Sequence, residues 1–163
     1  QEEKEFGYWR DVGTLDAYWE ASMDLVAVNP IFNLYNHQWP IRSTYQHLPP
    51  AKFVMCKYDE NRLGHATDSL VSPGCIVSGG QVSYSILAPS VHIHSWAEVS
   101  ESVLGEGCDI GRHAKLKRVI LDKFVKVAPG LEIGFDRERD LARGLTVTDS
   151  GVVAVPKGTY IKE

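Results

Sequence analysis

Three features of the sequence predict a mainly β protein, a parallel β-helix of 17-residue coils with an amphipathic helix and a connector in front of it. Written in rows of 17, residues 70–133 place Leu70, Leu87, Leu104 and Leu121 in one column, Ile76, Ile93, Ile110 and Val127 in a second, and Val82, Val99, Leu116 and Ile133 in a third. Four places after the first two columns stand mostly small residues, Gly74, Val91, Cys108 and Val125 in one case, Gly80, Ala97, Ala114 and Leu131 in the other. Finally, Ser72-Pro73-Gly74, Gly79-Gly80, Ala88-Pro89-Ser90 and Gly105-Glu106-Gly107 would break a long helix but suit tight corners. An aliphatic residue followed four places later by a small one is the hexapeptide repeat, in which each step makes a short strand and a corner and three steps make a triangular coil. The steps here are six, six and five residues. One such coil cannot close a core, whereas stacked coils bury the three columns continuously. Coils of this repeat class turn left-handed, a property of the class rather than of the spacing.

The elements follow in chain order. Between 14 and 28, Leu15, Tyr18, Trp19, Met23 and Val26 recur at spacings of three and four, with Thr14 placed to cap and Asp16 in the first turn, where the helix dipole favours a carboxylate. This amphipathic helix stops at Asn29-Pro30, because the residue before proline is driven out of the helical region. The helix closes a first segment, residues 1–28. Residues 29–66 read as a connector of turns and short extended pieces, including Trp39-Pro40-Ile41 and Leu48-Pro49-Pro50-Ala51-Lys52-Phe53-Val54, with an exposed loop over 58–64. The β-helix is placed at 67–135. Beyond it, 135–143 is charged, and Leu145-Thr146-Val147 and Val152-Val153-Ala154-Val155 flank Thr148-Asp149-Ser150-Gly151, which reads as a closing hairpin within a tail at 136–163.

Composition narrows the function classes. With 44% apolar and 23% charged residues the chain can build one compact body. Its 17 Lys and Arg against 21 Asp and Glu give a net charge of −4 with no long basic run, which argues against a nucleic-acid partner. No apolar run approaches the ~18 residues of a membrane span, and Gln1-Glu2-Glu3-Lys4-Glu5 is not a signal peptide, so a cytoplasmic location is expected. Cys56, Cys75 and Cys108 are odd in number and widely spaced, which supports neither a disulfide framework nor a zinc knuckle. Cys108, in the small-residue column, is expected to be buried. The start at Gln1, directly before Phe6-Gly7-Tyr8-Trp9-Arg10-Asp11, reads as part of something longer. His92 and His94 flank the inward Ile93 and should both point outward, close enough in principle to share a metal, but an exposed pair on a coil wall is the favoured account.

Three stretches together resemble one family. Tyr8-Trp9-Arg10-Asp11-Val12-Gly13-Thr14-Leu15-Asp16-Ala17-Tyr18-Trp19 is similar to the segment that ends the catalytic domain of bacterial ADP-glucose pyrophosphorylases, also called glucose-1-phosphate adenylyltransferases. Trp39-Pro40-Ile41 with Pro49-Pro50-Ala51-Lys52-Phe53-Val54 resembles their connector, and Ile110-Gly111-Arg112 through Ile120-Leu121-Asp122-Lys123 to Pro129-Gly130 resembles their left-handed β-helix. The resemblance implies an enzyme that makes ADP-glucose and pyrophosphate from ATP and glucose 1-phosphate with Mg²⁺, for storage-polyglucan synthesis. It implies that Asp11 helps hold the metal, that Lys123 and Lys157 bind a sugar-phosphate activator or an inhibitor of the AMP or Pi type, and that the protein is a homotetramer. The sequence departs from the family in lacking a glycine-rich G-G-x-G-x-R loop, whose amides cradle a triphosphate. No complete catalytic set is therefore expected, and the chain reads as the C-terminal regulatory and assembly portion, inactive alone. Two rival readings are a hexapeptide acyltransferase, with His92, His94 or His113 as base, and a non-catalytic scaffold.

Overall fold

From Asp68 onward the coils turn their corners on single residues with positive φ, and these repeat down the stack. One corner uses Gly74, Ser90, Gly107, Phe124 and Gly158; a second uses Gly79, Trp96, His113 and Gly130; the third uses Asp68, Tyr84, Glu101 and Arg118. The computed structural model describes residues 7–44, 46–56, 58 and 62–163. Residues 1–6, 45, 57 and 59–61 lie outside it, and with them the N-terminal stretch and the middle of the loop read at 58–64.

Between corners run two- and three-residue strands that stack into three parallel walls. The first wall is Lys52–Val54, Ile76–Ser78, His92–Ile93, Asp109–Ile110, Lys126–Val127 and Tyr160–Ile161. The second is His65–Thr67, Gln81–Ser83, Glu98–Ser100, Lys115–Lys117 and Glu132–Ile133. The third is Leu70–Val71, Ile86–Leu87, Val103–Leu104, Val119–Leu121 and Val153–Val155, with Thr146–Val147 added antiparallel at its edge. Because successive side chains alternate in a strand, one residue of each pair enters the core: Ile93, Ile110, Leu116, Leu121 and Ile133 are at most 1% exposed. The coils begin at Lys52, so the later part of the stretch read as connector is already wall.

In the first coil the register corrects the 17-residue ruler by one position. Val71, not Leu70, pairs with Leu87, and Val77, not Ile76, pairs with Ile93. Val77 is fully buried while Ile76 is 37% exposed, and Cys75 rather than Gly74 fills the small column inside. The cause is a shorter corner. From Val77 to the left-handed Gly79 is two steps, whereas Ile93 to Trp96, Ile110 to His113 and Val127 to Gly130 are each three.

The third corner carries a ladder of serines. Ser69, Ser85 and Ser102 accept hydrogen bonds at 3.1 Å from the backbone N–H groups of Ser85, Ser102 and Val119 in turn, and their hydroxyls donate to Thr67, Ser83 and Ser100 carbonyls. Buried backbone groups that the short strands leave unpaired are thereby satisfied.

After Gly134 the chain leaves the coil. The charged stretch forms a helix, α2 (Arg137–Ala142), capped by Asp136, whose carboxylate accepts from Glu138 and Arg139 N–H groups. Asp140 is 1% exposed, accepts from Gly134 N–H at 2.8 Å, and is pushed above the ordinary carboxylate range by burial. The strand Thr146–Val147 then turns back into Val153–Val155, which lies on Val119–Leu121, and Tyr160–Ile161 lies on Lys126–Val127. The excursion consumes one repeat length, so the fifth coil sits on the fourth at an offset of 34 residues.

Helix α1 (Leu15–Leu25) begins at Thr14, whose hydroxyl accepts from Ala17 N–H, and lies against the third wall. The Trp19 indole donates to the Glu101 carbonyl at 2.7 Å, and the Arg118 guanidinium stands 4.5 Å from its ring centroid. The Asp16 carboxylate accepts from the Thr148 and Ser150 hydroxyls at 2.7 and 2.6 Å, tying the helix to the late hairpin. These bonds hold Asp16 below the ordinary carboxylate range.

Candidate functional site

The side chains that face outward differ between walls. On the third wall the residue before each inward leucine is aliphatic: Ile86, Val103 and Ile120 stack in register, followed by Ala154. Helix α1 covers only part of this stripe. Between Leu15 and Tyr18 of the helix and Ile86, Val103 and Ile120 of the wall runs a groove of about 790 Å³. Its far margin is polar, formed by Glu106, Asp122 and Lys123 at the corner between the third and first walls.

That corner brings the two sequence-predicted lysines together. Since Leu121 pairs with Val155, Lys123 and Lys157 occupy equivalent positions on adjacent coils, and Gly158 N–H donates to the Lys123 carbonyl at 2.9 Å. Both side chains are exposed. Lys123 lines the groove, its backbone N–H held by the Asp122 carboxylate at 2.7 Å. The Lys157 ammonium lies 5.8 Å from the Phe124 ring centroid, on the neighbouring corner residue. Two ammonium groups at one corner beside an open groove are suited to an anion such as phosphate.

Asp11 lies on the N-terminal side of α1. It is exposed in the turn before α1, and one carboxylate oxygen accepts from Gly13 N–H at 2.9 Å, so the side chain shapes its own turn into the Thr14 cap. Among the described residues no group of three or more metal-ligating side chains includes Asp11.

His92 and His94 lie on the outer face of the first wall with ring centroids 3.9 Å apart, joined by Asp109, which the sequence reading missed. The signal was available: Asp109 is 17 residues after His92. His113 does not join them; it stacks on Trp96 at the second corner, 4.9 Å centroid to centroid. The thiols are all free. Cys108 is fully buried, donates to the Asp122 carbonyl, and is pushed up to about 11 by burial, and Cys75 is raised for the same reason. At neutral pH such thiols stay protonated and unreactive. No helix among the described residues is long and apolar enough to cross a membrane.

Comparison with known proteins agrees with the coil geometry and extends beyond it. A family model described as "GlmU-like, C-terminal hexapeptide" matches residues 49–155, and that repeat class fits a left-handed β-helix. Curated relatives named glucose-1-phosphate adenylyltransferase match nearly the whole chain. That of Bifidobacterium adolescentis is 53% identical over 156 residues, covering 96% of this chain and 37% of the relative. That of an Anaeromyxobacter species is 51% identical over 162 residues, covering 99% and 39%, and that of Deinococcus radiodurans is 53% identical over 151 residues, covering 93% and 36%. The chain thus spans little more than a third of the length of these relatives, and what it matches is their C-terminal part. With the coils, their register and this match together, the chain belongs to the GlmU-like C-terminal hexapeptide family.

Proposed function

We propose that this chain is the C-terminal regulatory and assembly part of a glucose-1-phosphate adenylyltransferase, an enzyme that joins ATP and glucose 1-phosphate into ADP-glucose and releases pyrophosphate in storage-polyglucan synthesis. The observation that carries the reading is that identity of about one half extends through α1 and the connector as well as the coils. A bare hexapeptide scaffold or an acyltransferase would need only the coils to match. Free thiols at Cys56, Cys75 and Cys108 suit a reducing, cytoplasmic setting.

In this reading Lys123 and Lys157 bind the phosphate of a sugar-phosphate activator, or of an AMP- or Pi-type inhibitor, at the edge of the groove. An effector there acts through its differential contacts with two arrangements of the coil against the rest of the enzyme. Asp11 would give one oxygen to a Mg²⁺ completed by residues outside this chain; when bound, that ion neutralises charge on the reacting phosphates. Exposed Tyr35, Trp39, Ile41 and Met55 on the connector side supply apolar surface for further contacts, including those of a homotetramer.

The test is an assay of pyrophosphate release from ATP and glucose 1-phosphate. The 163-residue chain should show none, and the intact protein should turn over. Lys157→Ala in the intact protein should shift the effector response by about tenfold, within the usual range of allosteric coupling. Turnover by the chain alone, or an effector curve unmoved in Lys157→Ala, would contradict the proposal.

A further inference from the structure

We propose that His92, His94 and Asp109 form a binding site for a zinc-type divalent cation on the outer face of the first wall, independent of the adenylyltransferase reading. Strand alternation puts His92 and His94 on one face with Ile93 buried between them. Stacking puts Asp109 directly against His92 in the next coil. One ligand atom from each of the three lies within 4.8 Å of the others, and His94 Nε2 is 2.7 Å from a carboxylate oxygen of Asp109.

Two imidazoles and one carboxylate form a borderline donor set that favours Zn²⁺ over Mg²⁺ or Ca²⁺. Metal–ligand distances of about 2.0–2.2 Å place tetrahedral donors roughly 3.3 Å apart, a spacing that small side-chain rotations reach from the present one. A simple ion pair between His94 and Asp109 accounts for only two of the three residues. It leaves the half-buried His92 ring stacked on His94, with no hydrogen bond to it from the described residues.

A coordination position is open as well. The residues equivalent to His94 in the following coils are Gly111 and Ala128, whose small side chains leave a groove of about 690 Å³. His94 and Asp109 line it together with Arg112 and Lys126. The two cations make water or a small anion the fitting fourth ligand. Since His92 and His94 belong to one coil and Asp109 to the next, the bound ion clamps two coils and should raise the thermal midpoint by mass action.

Calorimetric titration of the purified chain with ZnCl₂ tests this, with Co²⁺ absorption as a second readout of four-coordinate binding. The expected result is one Zn²⁺ per chain, with affinity reduced about tenfold or more in both His92→Ala and Asp109→Asn. The Zn²⁺-dependent rise in melting temperature should vanish in the same variants and persist in His65→Asn. All these side chains lie outside the core, and Asp109→Asn preserves shape should His92→Ala lower stability. No stoichiometric uptake, or uptake unchanged in both variants, would overturn the site.

Discussion

The second and third walls of the same coil carry opposite outer faces. Before each inward aliphatic residue the second wall has Gln81, Glu98, Lys115 and Glu132, and Lys115 pairs with Glu98 at 3.4 Å. The third wall has Ile86, Val103 and Ile120 at the equivalent places. The inner columns are alike, so this difference contributes nothing to closing the core. It marks the third wall as a surface built to be covered, since a contiguous aliphatic stripe is costly to leave in water, and Val103 in its middle is only 8% exposed. Helix α1 covers one side of it, the lysine corner borders the other, and the groove lies between.

Substitutions that move from the core to the two outer faces should separate these roles. The largest effect belongs to the inner column: Ile110→Asp buries an unpaired charge in a residue with no exposure and should cost more than about 4 kcal/mol. Denaturant titration should find the chain unfolded or nearly so. Next comes Trp19→Ala, which removes the hydrogen bond to Glu101 and the stack on Arg118. It should release α1, at about 2 kcal/mol of docking free energy, while coil unfolding by circular dichroism changes little. Lys115→Ala, on the solvated second wall, should stay within about 0.5 kcal/mol of the parent protein, because exposed ion pairs contribute little.

Acid should affect the two outer elements with opposite sign. Asp16 is lowered by its bonds to Ser150 and Thr148, so its contribution to docking is present above the ordinary aspartate range and is lost as pH falls through the lowered value. Asp140 is raised by burial, so the stability associated with its protonated form is present below the ordinary range and is lost as pH rises through the raised value. Following the Trp19 indole N–H resonance and the unfolding midpoint down the same pH series should show α1 loosening at the acid end. Asp16→Asn should remove that step, and Asp140→Asn should remove the opposing slope.

The fold was legible from Ile93 onward because aliphatic columns and corner residues recur at a constant interval. It slipped in the first coil for a physical reason: Leu70-Val71 and Ile76-Val77 are adjacent aliphatic pairs, so a corner shortened by one residue still satisfies the ruler with the wrong member of each pair. Helix α2 was missed because its six residues depend on the Asp136 cap and the buried Asp140 rather than on an apolar face. The groove was in principle readable from Ile86, Val103 and Ile120, and Asp109 from its place one repeat after His92. Neither stands out until side chains are sorted by face. That Lys123 and Lys157 meet could not be read from their 34-residue separation alone, because it requires the excursion through α2 and the hairpin to return the chain in register.

The central claim, that the third wall is a docking face, is tested most directly by amide hydrogen exchange of α1. An isolated helix of 11 residues is marginal in water and would exchange nearly as free peptide. The account predicts strong protection of residues 19–25 in the parent chain, lost in Trp19→Ala while the strands at Leu116 and Ile133 keep theirs. Free exchange of α1 in the parent chain, or loss of protection in α1 and the coils together, would contradict it.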